Sequence, residues 1–347
     1  MNLKIHKILV VTLVSAVLFL TACKTYEFFN IEVLEPAELF FPPEMQNVVL
    51  AHNISLDDAD TLGMPFKIFD VPGYDSIHLD TALANIALYT IADMLNFTGR
   101  FSFSIEDSLE RTLPENTMDF LVEDVDFIKR LCEEADSADA FILLNKLDQS
   151  NNYDVFLSEG GSYFGQFEIV LKTEWLFINP FTSKLIDKKN ILDTIYYQVD
   201  PLLLEDGNTG FEARQAALSV AASASGNVYG KRISPHFVET SRMIFKKGDK
   251  NIKTGFEQAQ LGNWKNAAWF WKNAFSSSDQ KIKAKACFNL ALANEMEGLL
   301  IPALEWANDS YRYFPDTLNA TYISILEKRI SQQNELLIQM DRIDLGQ

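Results

Sequence analysis

The chain has 347 residues, 48% of them hydrophobic and 22% charged, enough apolar material for one large or two ordinary cores and too much for a disordered chain. Its 30 Lys and Arg against 48 Asp and Glu give a formal charge of -18, so the average surface repels polyphosphates, and with no basic run in the sequence a nucleic-acid partner is not expected. Three cysteines, at 23, 132 and 287, exclude a disulfide-stapled scaffold.

At the start of the chain Lys4 and Lys7 precede an almost unbroken apolar run from Ile8 to Leu20. That run falls short of the roughly 20 residues of a spanning helix and has the length of the apolar region of a secretory signal. Leu20-Thr21-Ala22-Cys23 then resembles the lipobox of bacterial lipoproteins. The resemblance implies that residues 1–22 are a signal peptide, that Cys23 carries a lipid, and that acyl chains hold the protein on a membrane. Lys24 follows the cysteine, and Lys24-Thr25-Tyr26-Glu27 lacks the acidic cluster that resembles a surface-export tag in Bacteroidota lipoproteins. The implied address is the outer membrane, facing the periplasm, with the cell surface as the second option. The acidic mature chain is expected to be repelled by anionic lipid.

Residues 23–44 read as an aromatic, Pro-containing tether, and 45–245 as an α/β domain. Asn47 to Leu50 predicts a first strand, followed by a polar loop to about Leu79. Asp80 is a good N-cap, and Leu83, Ile86, Ala87, Thr90, Ile91, Met94 and Leu95 recur at helical spacing until Gly99. Phe101, Phe103 and Ile105 alternate with serines as in a half-buried strand. Asp124 to Ala135 predicts a helix, and the apolar run Ala140 to Leu144 a strand covered on both faces. Phe167, Ile169, Leu171, Thr173, Trp175 and Phe177 share one face of a long strand that turns at Asn179 to Ser183 and returns through Leu192 to Val199. Glu212 to Arg232 predicts a closely packed helix with Ala216, Val220, Ala224 and Val228 on its packed face.

Residues 250–347 are expected to be all helical. Gly262, Trp264, Ala267, Trp271 and Ala274 are echoed 36 residues later by Gly298, Leu300, Ala303, Ala307 and Ser310. This pattern looks like two tetratricopeptide repeats, with small residues where paired helices approach, a glycine at the turn between them and Pro315 as a stop. Thr317 to about Ile343 suits a capping helix. Two repeats and a cap fall below the three usually needed for a free-standing array, so the repeats are expected to lean on the α/β domain. The whole reads as α+β: an N-terminal mixed α/β sheet domain followed by an all-α tetratricopeptide-like region.

This order of elements resembles DUF6340, a family of uncharacterised Bacteroidota lipoproteins. The matching features are Asn47 to Leu50, the Gly99-Arg100-Phe101 helix exit, Cys132 to Leu144, the hairpin around Trp175 and Ile233 to Arg242. More loosely it is similar to the sheet-and-helix domains of curli-secretion and penicillin-binding-protein-activator lipoproteins. Neither resemblance implies an activity.

No catalytic residue stands out. His52, His78 and His236 have no companion at metal-ligand spacing, so no metal or cofactor is expected. Gly160-Gly161-Ser162 lacks the flanks of a nucleophile elbow or phosphate loop and reads as a turn. Asp58-x-Asp60 with Gly63 fails as a calcium loop, since Leu62 and Phe69 stand where oxygen ligands belong. Glu133-Glu134 and Asp124-x-Asp126 read as solvated pairs. Asp followed by Ser or Thr and an aliphatic residue recurs at seven places and resembles the periplasmic O-glycosylation site of Bacteroidota, with Thr61, Ser76, Ser108 and Thr317 as candidates; helix capping by the same residue types explains it equally well.

The expected role is therefore a non-enzymatic protein–protein interaction or assembly module docking an unknown envelope protein through the repeats, with the β-hairpin face as a further docking surface. Among the surface aromatics Trp269 and Trp306 are the candidate anchors, while Trp264 and Trp271 fall at repeat-core positions. The alternative is a glycan-binding or hydrolytic lipoprotein with a site in the α/β domain.

Overall fold

A computed structural model describes residues 25–39, 41–42, 45–54, 64–68, 71–75, 80–99, 101–106, 125–134, 138–182, 184–200 and 207–340. The described residues form nine strands and eight helices. They fall into two compact units, one of the described residues from Glu35 to His236 and from Glu335 onward, the other of those from Thr25 to Leu34 and from Phe237 to Asn334.

The tether expected over residues 23–44 is in part a strand, β1 (Tyr26–Glu35), and belongs to the second unit. Its side chains alternate between buried and exposed, with Ile31 and Val33 inside, a strand signal that the aromatic cluster hid.

In the first unit, β2 (Asn47–His52), β3 (Met64–Ile68), β4 (Val71–Asp75), α1 (Asp80–Thr98), β5 (Ser102–Glu106), α2 (Val125–Glu134), β6 (Ala140–Leu157), β7 (Tyr163–Asn179), β8 (Lys184–Val199) and α3 (Gly207–Ile233) follow in order. The seven strands make one mixed sheet. The long strand β6 organises it. Along one edge its start pairs in parallel with β2, from Val48↔Ala140 to His52↔Leu144, and its later part with β3, from Phe66↔Asn151 to Ile68↔Tyr153. Along its other edge β7 runs antiparallel over nearly the whole length, and β8 in turn pairs with β7. The β3–β4 hairpin lies where a polar loop was expected; Pro65, Lys67, Pro72 and Gly73 dilute the apolar alternation that marks a strand.

Helices α1 and α3 cover one face of the sheet. Leu83, Ala87, Leu88, Ile91 and Leu95 of α1 and Ala217, Leu218, Ala221, Ala222 and Tyr229 of α3 share a core with Leu50, Ile142, Leu144, Ile169, Leu171, Trp175 and Phe177. Helix α2 covers the other face at one end, where Ile128 and Cys132 meet Val49, Phe141, Leu143, Leu176 and Ile178.

The close packing expected of α3 is present, but on a stripe one residue over. Val220 and Val228 are exposed, and Ala217, Ala221, Ser225 and Tyr229 face inward. The inner stripe includes Gly226, where an added Cβ would meet the Ala87 carbonyl oxygen at 2.4 Å, so only glycine lets α1 and α3 approach that closely. Ser225 receives the Trp175 indole N–H at 3.2 Å and shares a 2.6 Å hydrogen bond with Thr173. Tyr229 stacks on Trp175 with centroids 5.1 Å apart. Polar groups thus specify the depth of this core without being orphaned.

The second unit pairs β1 with β9 (His236–Phe245) and adds α4 (Lys250–Gln260), α5 (Trp264–Phe275), α6 (Gln280–Met296), α7 (Leu300–Tyr313) and α8 (Thr317–Met340) as far as Asn334. Phe245, Phe256, Trp271, Phe288, Leu292 and Tyr322 belong to its core.

Candidate interaction site in the helical unit

Two helix hairpins, α4–α5 and α6–α7, repeat the same geometry. Their turns carry Gly262 at φ 74° and Gly298 at φ 75°, the left-handed region that glycine enters without steric cost. At equivalent depth Ala267 matches Ala303, Trp271 matches Ala307 and Ala274 matches Ser310, and all six are buried. Asp249 and Asp279 cap α4 and α6 by accepting from the Ile252 and Lys281 N–H groups, each at 2.8 Å.

The inner face of α6 is the best-furnished surface of the unit, and the chain's own strand occupies it. Asn289, fully buried, accepts from the Phe245 N–H and donates to the Phe245 carbonyl, each at 2.8 Å. One side-chain amide so satisfies both backbone groups of a strand residue, as a neighbouring strand would. Immediately before it, Phe288 stands edge-on to Phe245, centroids 5.2 Å apart, and against Tyr322 at 4.7 Å.

Glu295, its side chain wholly buried, ends the same stripe. Its Oε1 accepts from Arg242 Nε at 3.0 Å and Arg329 Nη1 at 2.6 Å, and its Oε2 from the Tyr322 hydroxyl at 2.6 Å. Arg242 comes from β9, so the strand is gripped by an amide, an aromatic ring and an ion pair. Burial, followed by the charge of Glu295 and its hydrogen bond, pushes the Tyr322 phenol well above its usual range. The further support that two short repeats need is supplied inside this unit by β9 and β1, whose Tyr26 and Phe29 pack on the same core.

The aromatic candidates separate. Trp269 is 60% exposed and meets Phe270 edge-on at 4.8 Å. Trp306 is half-buried and packs edge-on against Phe275 at 5.7 Å. Trp271 is buried as its repeat position requires, whereas Trp264 is half-buried and leans on Phe29 of β1 at 5.2 Å. Thr317 opens α8 in an exposed position, and Asp316 before it caps the helix through the Asn319 N–H at 2.8 Å. Cys23, Thr61, Ser76 and Ser108 lie outside the described residues, as do His78, the Asp58 loop and Asp124.

Residues with chemical potential are placed structurally. His52 is buried in β2 and accepts from the Ile54 N–H through Nδ1; His236 Nδ1 lies 3.2 Å from the Ser234 carbonyl. Glu133 and Glu134 are exposed. Burial alone would raise the Glu174 pKa, but hydrogen bonds from Lys188 and Asn145 outweigh it and hold the carboxyl below its usual range. Among the described residues no three His, Cys, Asp or Glu converge as a metal site. The open depression by Glu305, Asn308, Asp309, Tyr311, Arg312 and Pro315 is polar and apolar in nearly equal measure.

Cys132 and Cys287 are buried free thiols, and burial, aided by Asp139 and Asp309 respectively, pushes each up to about 12. In a Cys23→Ser chain at neutral pH, a thiol-specific disulfide reagent is expected to label neither until denaturant is added, and then both. Because the folded pKa exceeds the unfolded one, these groups stabilise the fold fully below about pH 8.5 and lose that contribution as pH rises toward about 12.

The geometry defines a two-unit α+β protein with paired helix hairpins and an internally filled groove. By sequence the chain belongs to the family described as domain of unknown function DUF8603, whose profile matches residues 53–245, more than half of the chain. The profile described as domain of unknown function DUF6340 matches residues 253–328, so that likeness lies in the helical hairpins and not in the α/β segments that suggested it. No curated protein matches. Similar solved structures include the PelC dodecamer from Paraburkholderia phytofirmans, 11% identical over 60% of this chain and 100% of that chain with a TM-score of 0.26. Another is a putative neuraminyllactose-binding hemagglutinin homolog from Helicobacter pylori, 11% identical over 56% of this chain and 94% of that chain with a TM-score of 0.27.

Proposed function

We propose that this is a lipid-anchored Bacteroidota envelope protein, held at the periplasmic face of the outer membrane through Cys23. In this reading it acts without catalysis, as an interaction or assembly module whose tetratricopeptide-like hairpins contact another envelope protein. The observation that carries the interaction reading is Trp269, a large aromatic left 60% exposed on α5 beside Phe270, of the type that anchors protein interfaces. With the inner groove filled by β9, the outer surface of the hairpins is where a partner would dock.

Crosslinking in envelopes followed by capture is expected to recover the same partner from wild type and from Trp306→Phe, and to lose it with Trp269→Ala. Recovery unchanged with Trp269→Ala would refute docking through this surface. Cys23→Ser is expected to leave the outer-membrane fraction for the soluble one; if it stays with the membrane, lipid is not the tether.

A second reading rests on the face of β6–β7–β8 away from α1 and α3. There Phe156 stacks on Phe164 with centroids 5.5 Å apart, and the exposed Tyr196 hydroxyl donates to Glu168 at 3.2 Å. Aromatic rings among hydrogen-bonding groups on an open sheet suit sugar rings. Retention of the protein on an oligosaccharide array, lost with Phe156→Ala, would favour this alternative.

A further inference from the structure

The carbonyl of Thr25, the first described residue, accepts from the N–H groups of Lys246 at 3.0 Å and Lys247 at 3.2 Å, just after β9. The Lys247 carbonyl in turn accepts from Lys285 Nζ at 2.8 Å. Lys281 stands one helical turn before Lys285, near enough that its charge adds to burial, against Asp279, in lowering the Lys285 pKa. Lys250 opens α4 three residues after Lys247. Five lysines from two separate stretches of sequence therefore gather where the described chain begins, although neither stretch is a basic run.

Three carboxylates share the neighbourhood. Glu27 pairs with Lys246 at 2.8 Å, and Asp249 and Asp279 accept the cap hydrogen bonds of α4 and α6. Among these described residues five lysines stand against three carboxylates, in a protein whose formal charge is -18.

We propose that this lysine cluster seats the phosphate headgroups of an anionic lipid surface and so sets how the anchored protein stands on its membrane. The inference rests on the lipid-anchor reading of Cys23. Only Lys24 separates Cys23 from Thr25, a chain reach of about 7 Å over two residue steps, so an acyl chain on Cys23 brings the cluster to headgroup level. The Debye length at physiological salt is about 8 Å. Acidic side chains elsewhere are screened over longer distances, while the lysines lie within reach of the lipid phosphates. The repulsion expected from net charge alone is therefore reversed at this end of the unit and retained elsewhere, which is an orienting device.

The test uses the chain from residue 23 onward with Cys23→Ser, so that no lipid is attached, and vesicles of phosphatidylcholine with or without phosphatidylglycerol. At low salt it is expected to sediment with the anionic vesicles and not with the neutral ones. Lys247→Gln, Lys250→Gln and Lys281→Gln are each expected to weaken this partitioning about fivefold, the loss of about 1 kcal/mol per lysine at a charged membrane. Far-ultraviolet circular dichroism identical to that of the parent protein shows that the variants are folded, and Lys189→Gln on β8 serves as the control that leaves partitioning unchanged.

Equal sedimentation with both vesicle types, undiminished binding by the triple variant, or tighter binding to double-stranded DNA than to the anionic vesicles at the same salt would each overturn the proposal. Mass analysis of Cys23 in the envelope protein separates the two readings. An unacylated cysteine with lysine-dependent vesicle binding removes the anchor and leaves the cluster; an acylated one with lysine-independent binding does the reverse.

Discussion

Glu295→Gln is expected to destabilise the helical unit by about 3–5 kcal/mol, enough to unfold it at ordinary temperature if its stability is of the usual size. Arg242 is 6% exposed and its guanidinium is matched by this one carboxylate, with Arg329 and Tyr322 completing the set. Glutamine keeps the shape, removes the charge and turns one acceptor into a donor facing a guanidinium. Thermal melts followed by circular dichroism should show an early helical transition. A combined change, Glu295→Met with Arg242→Met, Arg329→Met and Tyr322→Phe, is expected to recover much of the loss, because it removes the whole buried set instead of stranding part of it. If Glu295→Gln melts like the parent, the ion cluster does not hold β9 in place.

Asn289→Leu is expected to cost about 2–6 kcal/mol, since it leaves both backbone groups of Phe245 buried without their side-chain partner, at about 1–3 kcal/mol for each unsatisfied group. Asn289→Asp should be nearly as damaging, because a carboxylate accepts from the Phe245 N–H but repels its carbonyl. Amide hydrogen exchange reads the effect directly: protection of Phe245 and its neighbours in β9 should fall while that of α1 and β2 stays as it was. Protection lost equally throughout would mean that Asn289 supports general packing and not the strand.

Elements with strong local periodicity were legible in the sequence. The α1 pattern from Asp80 and the alternation from Phe167 to Phe177 recur with the inward faces expected, because a half-buried helix or strand writes its burial into its own spacing. The glycine pair at 262 and 298 marked both helix turns for another local reason, the positive φ that each turn requires. What escaped is what depends on distant partners. Strand β9 mixes Glu239, Thr240, Ser241 and Arg242 with its apolar residues, and only the fold reveals Glu295 as the counter-ion and Asn289 as the lateral partner. The stripe of α3 was misplaced because alanines and valines lay on neighbouring faces, and Gly226 against Ala87, not hydrophobicity, decided which face went inward.

The candidate site was partly readable. Trp271 as core and Trp269 as surface followed from repeat position, whereas the lysines near Thr25 come from segments about 35 positions apart in the chain, where no window of sequence could join them.

That β9 already lies along α6 alters what competition means for this protein. A short connection of residues 246–249 joins the strand to the helices that hold it, and such tethers give effective concentrations in the millimolar range. An extended peptide arriving from outside at micromolar levels would face an internal rival present in about thousandfold excess, and would gain entry only by far stronger binding. The hairpins are in effect permanently liganded, which leaves them rigid as a platform and insensitive to stray unfolded segments.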